Sequence, residues 1–149
     1  MRIRPVEPSD TQAVGDVYLA ALAGMTYLPT LYTDEETRDF IKDILLRHNE
    51  VWVAEQDGAV LGFVGWGDGS VRHMWVLPKE QGQGVGTALL EHVQSRCPDG
   101  LKLSVFQRNE GARRLYERHG FVLTELRDGH DNVENEPDCI YVWRPETAD

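Results

Sequence analysis

Residues 76–91 read Val-Leu-Pro-Lys-Glu-Gln-Gly-Gln-Gly-Val-Gly-Thr-Ala-Leu-Leu-Glu: an apolar strand end, a glycine-rich loop, then the first turns of an amphipathic helix. Glycine at 82, 84 and 86 allows a tight turn and lets a ligand come close to backbone N–H groups. The helix that follows opens with unpaired N–H groups and the positive end of its dipole. Loop and helix start together suit an anion, most naturally a phosphate or pyrophosphate. The mononucleotide loop does not fit, because no Gly-Lys-Ser/Thr follows at the required distance. The dinucleotide pattern does not fit either: it needs G-x-G-x-x-G, and here the third glycine comes two residues after the second.

The remaining pattern, Gln81-x-x-Gly84-x-Gly86, resembles the acyl-CoA pyrophosphate loop of the GCN5-related N-acetyltransferase (GNAT) superfamily, and Val76-x-Pro78 matches that family's lead-in. A second block, Asn109-x-x-Ala112-x-x-Leu115-Tyr116-x-x-x-Gly120-Phe121, is similar to the family's Asn-x-x-Ala-x-x-Leu-Tyr-x-x-x-Gly-Phe segment. The two blocks stand in the family's order, with a helix and a strand between them.

The elements that must carry these residues follow from periodicity and punctuation. Arg2 to Val6 alternates and predicts a first strand. Ser9-Asp10-Thr11-Gln12 reads as a capping box, and Val14, Val17, Tyr18, Ala21 and Leu22 give a helical stripe ending near Gly24. After an aromatic connection, Met25 to Tyr32, Thr33 opens a second helix whose buried face is Phe40, Ile41, Ile44 and Leu45. Val51–Glu55, the Asp57-Gly58 turn and Val60–Trp66 form a hairpin, and residues 70–77 are a strand running into the glycine loop. The loop's helix ends near Cys97-Pro98, and Leu101–Val105 alternates as a strand. Asn109 caps a helix that ends at His119-Gly120, and two strands, Phe121–Leu126 and Cys139–Trp143, flank an acidic loop. The tail after Pro145 reads as frayed. The order β-α-α-β-β-β-α-β-α-β-β predicts one α/β domain over residues 1–149: a mixed sheet with helices on both faces, similar to the GNAT fold from end to end.

The resemblance places roles on residues. It implies that the strand before the glycine loop parts from its neighbour and offers main-chain groups of Met74, Trp75 and Val76 to a pantetheine arm. The Val76 N–H would then polarise a thioester carbonyl. A pyrophosphate would rest on Gln81, Gly82, Gln83, Gly84, Val85, Gly86 and Thr87, and Asn109 would either touch the cofactor or serve as a plain helix cap. Tyr116 matches the tyrosine that protonates a departing CoA thiolate; its bland alternative is a core aromatic. No carboxylate stands at the usual base positions, since these hold Ser70, Arg72 and Ser104. His73 is the titratable group nearest the active strand, and a water relay to backbone carbonyls is the alternative. Substrate contacts are expected from Tyr27 and Tyr32 on the first helix connection and from Glu134 and Glu136 on the acidic loop. The alternative is a solvated acidic loop, or one that pairs with Arg127, Arg144 or a second subunit.

The implied activity is acetyl transfer from acetyl-CoA to a primary amine, on a small molecule or a peptide or protein N-terminus, by direct attack in a ternary complex. An acyl-CoA-binding module without turnover, or a transferase of another acyl group, is the alternative. A formal charge of −10 over 149 residues argues against nucleic acid or an anionic membrane as partner. The chain shows no secretory leader and no apolar run near the ~18 residues of a membrane span, and its cysteines, Cys97 and Cys139, sit in no metal or redox spacing. These features predict a cytoplasmic protein with reduced thiols and no metal, and leave a homodimer open.

Overall fold

The computed structural model describes residues 1–145; the expected frayed tail lies outside them. Its elements follow the predicted order: β1 (Arg2–Pro5), α1 (Thr11–Ala23), α2 (Asp34–Phe40), α3 (Leu46–His48), β2 (Glu50–Gln56), β3 (Ala59–Gly67), β4 (Ser70–Val76), α4 (Val85–Arg96), β5 (Leu101–Phe106), α5 (Glu110–Arg118), β6 (Val122–Arg127) and β7 (Asp138–Trp143). The strands form one seven-stranded sheet in the order β1-β2-β3-β4-β5-β7-β6. All neighbours are antiparallel except β4 and β5, which run parallel. No helix among the described residues is long and apolar enough to cross a membrane.

Both sheet faces are covered, and each has its own core. On one, Leu89, Leu90 and Val93 of α4 and Tyr116 of α5 pack with Val64, Leu103 and Tyr141. On the other, Val14 and Val17 of α1 pack with Ile41, Leu45, Val53 and Phe63. The central strand β3 is buried from Leu61 through Trp66, as expected for a strand covered on both sides. The turns at Asp57-Gly58 and Asp68-Gly69 have positive φ at both residues, the geometry that matches strand twist in a two-residue hairpin.

Two local expectations are corrected. The start of α1 is not capped by Ser9; instead the Asp10 carboxylate accepts from the Glu7 N–H at 2.8 Å and from the Arg4 guanidinium at 2.8 and 3.0 Å, tying β1 to the helix. Ile44 is 48% exposed rather than buried. Residues Ile41–Leu45 form a π-helical turn, and the wider turn lets Ile41 and Leu45 face the core while Ile44 swings outward.

Candidate active site

Two parallel strands that separate make the site. β4 and β5 pair at Ser70–Lys102, where the Lys102 N–H donates to the Gly69 carbonyl at 2.9 Å, and no further rung joins them. From there to Val76 one edge of β4 lacks a strand partner, while its other edge pairs with β3 from Ser70 to Val76. The Leu77 N–H donates to Leu61 on the β3 side at 2.9 Å. Strand alternation therefore turns the N–H and C=O of Val76 and Met74 into the slot. A bulge at Arg72, where Val71 and His73 face adjacent residues of β3, fixes which side chains go where. Met74 and Val76 pack toward α4 and α5, and Trp75 packs toward α1 and α2.

The glycine loop closes one end of this slot. Pro78–Glu80 is a short 3-10 turn; Gly82 and Gly84 then adopt φ +80 and +88°, and Gly84 is the N-cap of α4. A Cβ at either position would meet nothing within 4 Å, so these glycines are required by backbone conformation and their outer surface is open. Gly86 is different. A Cβ there would lie 3.2 Å from the Leu115 side chain, so this glycine lets α4 settle against α5. Gln81, Gly82, Gln83 and Gly84 are exposed, Gly86 and Thr87 half-buried, and Val85 buried. The Gln81 amide reaches back and donates to the Val76 carbonyl at 3.4 Å.

On the same side of the sheet, α5 brings Asn109 and Tyr116. The Asn109 side chain accepts from the Ala112 N–H at 3.3 Å, the expected cap. Tyr116 is 6% exposed, its ring 5.7 Å from Phe121 and 6.2 Å from Tyr141. Burial pushes its phenol well above the usual tyrosine range, so Tyr116 holds its proton. The helix is pinned from beneath. Tyr141, fully buried on β7, donates its hydroxyl to Glu117 at 2.6 Å and accepts from Arg113 Nε at 3.1 Å.

The opposite face is aromatic and acidic. His73 lies 5.9 Å from Phe40 and 6.4 Å from Tyr18, ring to ring, and Tyr18 lies 4.5 Å from Trp75. Burial first, and the Arg72 charge second, push His73 down to about 4. It is therefore neutral at pH 7 but far too weakly basic to suit the general-base role expected for it. The Tyr18 phenol is raised, first by burial and then by Glu134 and Tyr32. Tyr32 itself is 58% exposed. Tyr27 packs edge-on to Phe106 at 6.1 Å, with Arg108 over its ring at 5.5 Å. Glu136 is buried beside them, its Oε2 3.2 Å from Arg108 Nε. Tyr27 and Glu136 are thus joined through Arg108 at the end of β5, whereas Tyr32 and Glu134 are tied only to Tyr18, through its raised phenol. Two clefts of about 340 and 450 Å³ lie elsewhere, one along Glu125–Asn132 and one between Gly67–Gly69 and Cys97–Gly100.

Comparison with known proteins agrees with this geometry. The family described as acetyltransferase (GNAT) domain matches residues 47–123, about half of the chain. A peptidyl-lysine N-acetyltransferase, YiaC of Escherichia coli, is 32% identical over 125 residues, covering 83% of this chain and 84% of that protein. The chain belongs to the GNAT acetyltransferase family. A further relative, an uncharacterised N-acetyltransferase of Archaeoglobus fulgidus, is 31% identical over 133 residues, covering 78% of this chain and 89% of the other. Among solved structures, a yncA acetyltransferase from Salmonella typhimurium, determined with its cofactor acetyl-CoA, shares the fold with a TM-score of 0.76 at 22% identity, covering 100% of this chain and 96% of that one.

A GNAT cofactor suits the slot for two reasons visible in this chain. The edge of β4 offers strand-like main-chain groups with no strand partner, and the Cβ-free surface of Gly82 and Gly84 leaves the N–H groups of the loop accessible. Three further residues of the aromatic face carried little signal in the sequence. Tyr18 was read only as part of a helical stripe, although its position one turn from Leu22 gave no hint that it would face β4. Phe106 and Arg108 adjoin the Asn109 motif, and an arginine next to a cap was the available signal. Among the described residues no group of three or more His, Cys, Asp or Glu is arranged to hold a metal ion.

Proposed function

We propose that this GNAT protein transfers the acetyl group of acetyl-CoA to a primary amine by direct attack within a ternary complex. The observation that carries the reading is the divergence of β4 and β5 beside the glycine loop, which leaves the Val76 N–H unpaired and directed into the opening. Acetyl-CoA supplies a thioester whose carbonyl gains negative charge as the amine adds. The Val76 N–H is a fixed donor for that charge, and one such donor is commonly worth ~2.7–4 kcal/mol. The N–H groups from Gln81 to Thr87 hold the pyrophosphate, and main-chain groups of Met74 and Val76 align the pantetheine arm; those of Trp75, expected to join them, face β3 instead. Asn109 borders the same arm. Tyr116, kept protonated by burial, donates to the departing thiolate.

The acceptor enters from the aromatic face, past Tyr27, Tyr32, Glu134 and Glu136. We assign proton removal to water held by backbone carbonyls at the slot, because His73 is too acidic a group for it. The acceptor is a small molecule or a peptide. A peptide lysine is the first peptide amine to try, on the strength of the relative that acts on peptidyl-lysine. The setting we expect is the cytoplasm, where acetyl-CoA is available.

The test is CoA thiol release from acetyl-CoA across polyamines, aminoglycosides, amino acids and short peptides with free α- or ε-amines. Stimulation by one class supports transfer and names the acceptor chemistry. Acetyl-CoA binding in a thermal-shift assay with no release across the panel favours a binding module, and no binding at all removes the slot from the cofactor.

A further inference from the structure

The loop from Asp128 to Pro137 is built to hold one carboxylate in place. Gly129, at φ +91°, lies so close to Glu136 that a Cβ there would fall 2.5 Å from the Glu136 carbonyl carbon. The Asn132 amide brackets the Glu136 backbone, accepting from its N–H at 3.1 Å and donating to its C=O at 2.8 Å. Gln107 Nε2 reaches across from the end of β5 to the carbonyls of Arg127 and Asp138 at 3.0 and 2.9 Å. Arg127 and Asp138 close the loop's base with two parallel contacts of 2.7 Å, a bidentate pair. The pairing with Arg127, one of the alternatives for this loop, is present, while Asp128, His130 and Asp131 stay exposed.

What the scaffold presents is chemically incomplete. The Glu136 side chain is 8% exposed, and its Oε2 has no hydrogen-bond donor. The buried Tyr27 hydroxyl also lacks a partner, and Arg108, 5.5 Å over the Tyr27 ring and 3.2 Å from Glu136, links the two residues. Orphaned buried polar atoms are costly, and a carboxylate more so than a hydroxyl. Arg108 approaches Oε2 at 3.2 Å but without hydrogen-bond alignment, unlike the bidentate pair a few residues away. Its side chain is 62% exposed, a flexible cation reaching down from solvent onto a buried anion.

We infer that Glu136, with Tyr27 linked to it through Arg108, receives a second positive charge on the acceptor, remote from the amine that is acetylated, and that Arg108 fills this place while no acceptor is bound. An ammonium carries three donors on a compact head and can align one of them with Oε2, which the ill-aligned guanidinium does not. The preferred acceptors are therefore diamine-like: polyamines, or basic peptides in which another cation accompanies the reacting amine. The inference rests on the acceptor-side reading above.

Its test is a binding measurement, so it does not depend on turnover. A graded series of α,ω-diamines and the matching n-alkylamines are titrated calorimetrically, with and without CoA present. The best diamine should bind about tenfold tighter than its monoamine, the value of one charge-assisted hydrogen-bonded contact. Glu136→Gln, with an unchanged melting temperature, should abolish most of that advantage, and Tyr27→Phe should reduce it. Arg108→Ala should tighten the diamine by removing its competitor. Equal binding of both amines, or an advantage that survives Glu136→Gln, overturns the inference; so does loss of diamine binding in Arg108→Ala, which would make Arg108 the receiver. Acetylation of monoamines with no diamine preference sinks this inference alone, whereas selective diamine binding without any thiol release sinks acetyl transfer alone.

Discussion

Ser70 faces Lys102 across β4 and β5, and that single rung is where the two parallel strands part company. The separation leaves one edge of β4 without a strand partner, with the Val76 N–H directed along it toward β5. Because the Val76 N–H takes no part in the β3 ladder, Val76→Pro removes it without breaking a strand pair. We expect acetyl-CoA affinity to stay within about threefold and kcat to fall by about 10²–10³, the usual effect of deleting one such donor. Steady-state kinetics beside a thermal-shift titration of acetyl-CoA reads both. An unchanged kcat would remove Val76 from the chemistry.

Tyr116 gives a milder effect with a distinctive pH signature. A CoA thiol has a pKa of roughly 8.5, so thiolate already leaves tolerably and Tyr116→Phe should lower kcat only by about tenfold. Burial holds the phenol above its ordinary range, so it does not deprotonate where an exposed tyrosine would, near pH ~10. The rate should therefore keep rising with pH as the acceptor amine loses its proton, with no falling limb from this residue. A descending limb below pH ~10 that vanishes in Tyr116→Phe would contradict the burial argument.

Legibility in the sequence tracked the range of the interactions involved. The glycine loop, the Asn109 cap and the Asp57-Gly58 turn depend on neighbouring residues, and each stands where the residue pattern put it. The π-helical turn at Ile41–Leu45 escaped notice because Ile41, Ile44 and Leu45 fit an ordinary α-helical stripe equally well; only packing against α1 and β3 selects the wider turn. The acidic loop was harder still. Its order comes from Gly129 lying on Glu136 and from Gln107 reaching it from another strand, contacts that no local pattern encodes. The insertion of β7 between β5 and β6 is likewise a long-range pairing. His73 shows the limit for chemistry: its residue type suited a base, whereas its burial beneath Tyr18 and Phe40 does not.

That burial makes His73 a contributor to acid sensitivity. Folded, it titrates near 4 instead of 6.5; between these values the unfolded chain binds the extra proton. Stability is thus full above pH 6.5 and is lost as pH falls toward 4, by about 2 kcal/mol at pH ~5 from this group alone. His92, also lowered by burial, acts in the same direction. His73→Phe should flatten the fall in denaturant midpoint between pH ~7.5 and ~5 and leave the shape of the pH–rate profile near neutrality unchanged. A rate profile that loses a limb in this variant would restore His73 as a base.

Gly84 tests the loop. Its φ of +88° is a left-handed conformation that costs an L-residue roughly 1–2 kcal/mol, yet nothing within 4 Å would obstruct a methyl group. Gly84→Ala should therefore lower the melting temperature modestly for conformational reasons alone. It should weaken acetyl-CoA by more than that strain explains, because the N-cap of α4 must turn its N–H groups toward the pyrophosphate. Comparing acetyl-CoA with a pantetheine thioester that lacks the pyrophosphate separates the two effects. The affinity loss should appear only with the full cofactor; equal losses with both would mean the loop does not hold phosphate.

We assign Glu134 to the acceptor and not to the cofactor, and this assignment is open to a direct test. After burial, its charge, with Tyr32, raises the phenol of Tyr18, whose ring packs on Trp75 of β4. Glu134→Gln keeps the shape and removes the charge. It should raise KM for a cationic amine several-fold, about the value of one exposed charge contact of ~1 kcal/mol, while leaving KM for acetyl-CoA unchanged. Added salt should shrink the difference between variant and parent, since a half-exposed charge is screened over about 10 Å at 0.1 M ionic strength. A rise in the acetyl-CoA KM instead would move the loop to the cofactor side, and identical kinetics for both substrates would take Glu134 out of the site.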